Sequence, residues 1–151
     1  RGIKTSILGL ADQKVPGEAR REKQVEDGVE VEALRLPADV PFVQRVSEGR
    51  RFIDEVGGRH ALFAFAPYQF DMRGVVSRAL VELPELVSGL TSSILFHETW
   101  IGEEETSGLW TRLVGFTQRR LIQMLVHDLK PVRIYSTNPL YRRMLEAYDI
   151  R

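Results

Sequence analysis

The chain has 151 residues, 43% hydrophobic and 28% charged, an ordinary globular composition long enough for one domain with a real core. Lys plus Arg and Asp plus Glu number 21 each, so no net field draws the chain toward nucleic acid or anionic lipid. Cysteine is absent, which excludes disulfides, thiolate metal sites and cysteine nucleophiles, and no apolar run nears the roughly 20 residues of a membrane span.

No signal peptide opens the chain, and the cytoplasm is the default compartment. Both ends look cut: the chain starts at Arg1-Gly2 without Met and stops soon after an apolar helix. The expectation is a fragment of a longer protein.

Residues 5–10, Thr-Ser-Ile-Leu-Gly-Leu, read as a short apolar strand. Residues 11–28 are polar and charged, with Pro16-Gly17 as turn chemistry, and read as a long solvated loop that would otherwise be a lid. Residues 29–36 alternate apolar and charged at first, which predicts a strand near a sheet edge. Asp39 is placed to cap a helix over 41–56, and Gly57-Gly58 ends it. Phe42, Val46, Gly49, Ile53 and Val56 form its core stripe.

Residues 61–66 are the next buried strand, running into the aromatic loop Pro67-Tyr68-Gln69-Phe70. Asp71 is then placed to cap a helix to about Leu83, broken at Pro84 and closed by Gly89. His60 falls at the amino end of its strand, on the wrong side for a site.

Residues 93–102 organise the rest. The apolar run Ile94-Leu95-Phe96 reads as a strand buried on both faces, as in a parallel sheet, and it runs straight into His97-Glu98-Thr99. Ligands of open α/β sheets bind beyond the carboxyl ends of the strands. A general base, an acid and a hydroxyl therefore stand where chemistry belongs. The plainer reading has His97 only capping the strand.

Thr106 or Ser107 caps a long helix over 108–129. Its apolar rows, Leu109, Leu113, Phe116 and Met124 beside Trp110, Val114, Leu121, Leu125 and Leu129, predict burial on a wide face. His127 suits the helix's carboxyl end as a structural group. Residues 132–135 form a further strand, followed by Ser136-Thr137-Asn138 and a helix opened by Pro139. The strand–helix alternation after Gly57 specifies a parallel α/β sheet.

Three loops thus gather at one sheet edge: Tyr68-Gln69-Phe70, His97-Glu98-Thr99 and Ser136-Thr137-Asn138. The first offers aromatic faces and an amide suited to a polyol. The last is a helix cap that doubles as an anion or hydroxyl site. The chain lacks GxGxxG, GxxxxGK[ST], HExxH and GxSxG, and its histidines, at 60, 97 and 127, are too far apart to suggest a zinc cluster. Glu103-Glu104-Glu105 more simply favours the following helix's positive end than a cation.

The order of elements, with Gly28-Val-Glu-Val, Ala66-Pro-Tyr-Gln-Phe, Ile94-Leu-Phe-His-Glu-Thr-Trp and Val132-Arg-Ile-Tyr-Ser-Thr-Asn-Pro, resembles the amino-terminal, acceptor-side domain of GT-B glycosyltransferases. The group is the retaining, sugar-nucleotide-dependent one. The resemblance spans nearly the whole chain on loose motifs, the best being a strand ending in His97-Glu98. It implies a Rossmann-like sheet with helices on both faces, residues 1–151 being one incomplete domain of a two-domain architecture. The family's first strand with its Gly-rich loop and its carboxy-terminal donor domain do not occur in these residues, so this chain alone should be inactive.

By the same resemblance His97 is the catalytic residue, hydrogen bonding the reacting groups and assisting proton transfer. Tyr68, Gln69, Phe70, Glu98, Thr99, Ser136 and Asn138 are the substrate-binding set. The implied partners are a nucleotide sugar as co-substrate, held mainly by the other domain, and a small-molecule, lipid or glycan acceptor. No cofactor, metal or nucleic acid is implied, and the parent protein has room for association with a membrane surface. Two rival readings are a non-catalytic α/β binding or regulatory module and, last, a small α/β hydrolase using His97 and Glu98.

Overall fold

The computed structural model describes residues 4–69 and 79–151. They form two compact units, residues 1–58 and 59–151, each built on its own three-stranded sheet.

In the first unit β1 (Ser6–Asp12) pairs in parallel with β3 (Val29–Pro37), and β2 (Arg20–Glu26) pairs antiparallel with the other edge of β3. Two expectations are corrected here. The stretch 11–28 is not one long loop, because β2 occupies its second half. The strand over 29–36 is not at an edge, because β3 is central.

The cause lies in how β2 is held. Asp27 and Gly28 both have positive φ, 50° and 78°, as a two-residue I′ hairpin turn requires. That turn lays a strand with almost no apolar residues against β3, and charge pairs replace hydrophobic ones. Arg21 bonds Glu32 across the hairpin and Glu55 of the next helix, and Lys23 bonds Glu30 at 2.8 Å.

The next helix is α1 (Phe42–Val56). Its N-cap is Pro41 rather than Asp39, whose carboxylate instead accepts from the Gly17 N–H at 3.2 Å. Gly57, left-handed at φ 69°, ends the helix as expected. Phe52 of α1 packs on Leu34 and Leu36, with Leu8, Leu10, Ala19 and Val56 around them, to make this unit's core.

The second unit is a parallel sheet ordered β4 (His60–Phe65), β5 (Thr91–Phe96), β6 (Arg133–Ser136), so the fold is mixed α/β and the His97 strand is central. Its helices are α2 (Ala79–Leu86), α3 (Leu109–Leu129) and α4 (Pro139–Ala147). One sheet face carries Phe65, Ser92, Ile94 and Phe96, all buried. Leu83 and Val87 from α2 and its exit, and Leu129 from α3, line a small cavity with Ala61, Phe63 and Ser92 of that face, and Ser92 Oγ donates to Leu129 O at 3.1 Å. On the other face Ser93 and Leu95 of β5 are only half-buried, and Leu62 and Tyr135 of its neighbours are 63% and 45% exposed, so β5 is fully buried on one face alone.

Three helix details also differ from expectation. α2 runs through Pro84 instead of breaking there, because Leu83 and Leu86 are buried on either side of it. The cap of α3 is Gly108, not Thr106 or Ser107. Its wide-face burial holds for only one of the two rows, Val114, Leu121 and Leu129 being half-buried and Leu125 buried. The buried line is Gly115, Gln118, Ile122 and Leu125, whereas Leu109, Leu113, Phe116, Met124 and Trp110 are exposed. Among the described residues no helix is long and apolar enough to cross a membrane.

The Asp12–Arg35 pair in the first unit generates a pH dependence. Arg35 Nε donates to Asp12 Oδ2 at 2.6 Å and the Lys14 N–H to Oδ1 at 2.8 Å, and these hold the Asp12 carboxyl below its ordinary value. A depressed folded value means that the stability is present at neutral pH and lost as the pH falls through the carboxylate range, below about 4. Urea unfolding from pH 7 to 3 should show Asp12→Asn weaker than wild type at the top of the range, with the gap closing at the bottom. A gap that stays constant would contradict this linkage.

Candidate functional site

Sheet register builds the site. Phe65, Phe96 and Ser136 end their strands at one level, since Phe65 pairs with Phe96 and Phe96 with Ser136. The ladder then continues one residue further: the His97 N–H donates to Phe65 O at 2.9 Å and the Thr137 N–H to Phe96 O at 3.0 Å. The Thr137 hydroxyl also donates to His97 O at 3.3 Å. Backbone of His97 is thus pinned on both sides while its side chain is exposed.

Around it stand the other expected residues, in different situations. Tyr68 is 45% exposed on the 3-10 turn Pro67–Gln69. Gln69 belongs to that turn, and its side chain lies outside what is described; Phe70 and Asp71 fall outside the described residues altogether. Glu98 is exposed beside His97.

Thr99 departs from its expected part. It is 3% exposed, and its hydroxyl meets Met144 Sδ of α4 at 3.5 Å, so it packs the loop and does not face a ligand. Ser136 is half-buried and donates to Asn138 O at 3.1 Å. Asn138 caps α4, its Oδ1 accepting from the Tyr141 N–H at 2.9 Å, which leaves its amide N–H groups as donors. The cap reading of Ser136-Thr137-Asn138 therefore accounts for both acceptor oxygens involved.

The loop after Thr99 is clamped by Trp100, Gly115, Gln118, Arg119 and Tyr148, to which the sequence analysis gave no such part, and by Glu103, expected only to favour the positive end of α3. Trp100 is buried, donates from Nε1 to Glu103 at 2.7 Å, and meets the Tyr148 ring edge-on at 5.4 Å between centroids. Arg119 of α3 bonds Glu103 at 3.2 Å and lies over the Tyr148 ring at 3.9 Å. Gln118, 2% exposed, accepts the Ile101 N–H at 3.1 Å. Gly115 faces the Ile101 carbonyl so closely that a Cβ would collide with it, and a Cβ on Gly102, at φ 86°, would come within 2.7 Å of Thr111 O. A glycine inside a helical pattern signals such close approach, and Gly115 carried that signal.

Chemically, the edge offers an imidazole, a carboxylate, a phenol and an amide. The set suits hydrogen bonding to hydroxyl-rich ligands, with His97 able to exchange a proton. Among the described residues no group of three or more His, Cys, Asp or Glu is arranged to hold a metal. Compared with known protein families and with curated proteins, the chain matches no family model and no curated protein.

The clamp makes a prediction. Gly115→Ala forces the Ile101 loop off α3 and should destabilise the second unit by about 1–3 kcal/mol, the usual cost of overpacking. In a Trp110→Phe background, which leaves Trp100 as the sole indole, the fluorescence of Gly115→Ala should shift to the red as Trp100 meets water. An unshifted emission and an unchanged melt would show that the loop does not depend on this approach.

Proposed function

We propose that this chain is the acceptor-side part of a retaining, nucleotide-sugar-dependent glycosyltransferase of GT-B architecture, its second unit being Rossmann-like. The observation that carries the reading is an exposed His97 at the carboxyl end of the central parallel strand, flanked by the Tyr68 turn and the Asn138 cap. Open α/β sheets bind ligands at that edge. The resemblance of the His97-Glu98 strand end supports the choice of chemistry.

In the proposed reaction an acceptor hydroxyl forms a bond to the anomeric carbon of the donor sugar. The bond from that carbon to the donor phosphate breaks, and the nucleotide leaves with the electron pair. The acceptor's proton passes from its oxygen to the departing phosphate oxygen as this happens. His97 hydrogen-bonds the reacting hydroxyls and assists that transfer, a contribution of roughly 10²–10⁴-fold for a well-placed acid–base group. Tyr68 supplies a ring face for a sugar, and Glu98 and the Asn138 amide supply hydrogen bonds. Thr99 and Ser136 act as scaffold.

One observation favours the second reading, a non-catalytic α/β binding or regulatory module: Thr99 and Ser136 spend their hydroxyls inside the chain. Turnover separates the two. In the transferase containing this chain, His97→Ala should lower kcat by roughly 10² or more, with an unchanged melting temperature because the side chain is exposed. Nucleotide sugars should raise the melting temperature of that transferase and leave the isolated chain unmoved. Near-normal turnover of His97→Ala would return His97 to strand capping, and stabilisation of the isolated chain would overturn the division of labour.

A further inference from the structure

The outward face of α3 is apolar where a crossover helix of an α/β sheet is normally polar. Its buried line is Gly115, Gln118, Ile122 and Leu125. On the opposite side, at spacings of four and three, Leu109, Leu113 and Phe116 are 88%, 55% and 48% exposed. Met124 extends the row at 54%, and Trp110 flanks its start at 75%. Single exposed apolar residues are common on any surface, but a row along one helix face is a feature of interaction sites.

We propose that this row is the seam of a homodimer in which a second copy of the chain lies antiparallel across it. The charges around the row select that occupant. Glu103, Glu104 and Glu105 stand at its amino end, and Arg112 Nη2 donates to the Glu105 carbonyl at 2.8 Å, keeping the acidic run beside the first turn. Arg119 and Arg120 stand toward the other end. Arg119 is engaged by Glu103, whereas Glu104 and Glu105 are exposed, as is Arg120, which lies over the Phe116 ring at 5.6 Å and donates to Gln123 at 3.5 Å.

The part of the row from Leu109 to Phe116, with carboxylates before it and the Arg120 guanidinium after it, complements itself when turned end to end. A two-fold axis near Leu113 sets Leu109 against the partner's Phe116 and the acidic run against the partner's Arg120. That is an isologous contact, in which each pairing occurs twice. An anionic bilayer is not selected by these charges, because Arg112, Arg119 and Arg120 are matched by Glu103, Glu104 and Glu105, and the last two border the most exposed apolar residues, Leu109 and Trp110. One helix face is smaller than the about 800 Å² per partner of a stable complex, so the dimer is weak, with a dissociation constant of roughly tens of micromolar.

Sedimentation of the chain between about 5 and about 500 µM spans such a constant. The expected result is a rise from 17.3 kDa toward twice that mass, abolished by Leu113→Glu at unchanged circular dichroism. Arg120→Glu alone, and Glu104→Lys with Glu105→Lys in one chain, should each weaken the dimer. Mixing those two variants should restore it, because only the antiparallel arrangement pairs their reversed charges in both contacts. A monomer at every concentration, a dimer indifferent to Leu113→Glu, or a mixture no tighter than its components would overturn the proposal. So would a monomer that instead co-sediments with phosphatidylglycerol vesicles through this row, which would make the face a membrane contact.

Discussion

The second unit depends on one close approach, the seating of the Ile101-Gly102 backbone on α3 at Gly115. Protein interiors are packed near crystal density, so two segments of backbone meet only where side chains are missing between them. Gly115 removes the Cβ that would strike the Ile101 carbonyl, and Gln118 accepts the Ile101 N–H left by the loop. Trp100, Glu103, Arg119 and Tyr148 then close around the same loop. The loop begins at His97. The His97 imidazole is exposed, so its position follows from the backbone that carries it.

The first unit solves a different problem with a different interaction. β2 has almost nothing apolar to bury, yet it forms because the Asp27-Gly28 turn sets the register, Arg21 and Lys23 find carboxylates on β3 and α1, and Arg35 of β3 reaches Glu22 of β2. Exposed ion pairs are individually weak, and a network anchored to one hairpin register is stronger than its members taken singly. Leu34, Leu36 and Phe52 supply the hydrophobic term behind it.

These two cases also explain what was legible in the sequence. The strands β4, β5 and β6 could be read because their apolar runs are short, dense and bounded by turn residues, and their parallel order followed from the intervening helices. β2 was hidden by its charge, although Asp27-Gly28 is a strong hairpin signal that a polar composition obscured. The apolar rows of α3 were visible but their burial was not, since periodicity shows that a face exists and not which face meets the sheet. At the site, the position of His97 was legible from the strand that precedes it. The inward turn of Thr99 was not, because it depends on Met144, 45 residues away. Asn138 was legible as a cap from Pro139 after it, and its geometry agrees.

The reading of the carboxyl edge as an acceptor site is tested most directly by amide chemical-shift mapping with oligosaccharide and glycolipid-headgroup acceptors on the isolated chain. The account predicts that the shifts of a binding acceptor fall together on Tyr68, His97, Glu98 and Asn138, and that His97→Ala removes them. Shifts gathered on another surface, or the same edge shifts persisting in His97→Ala, would contradict it.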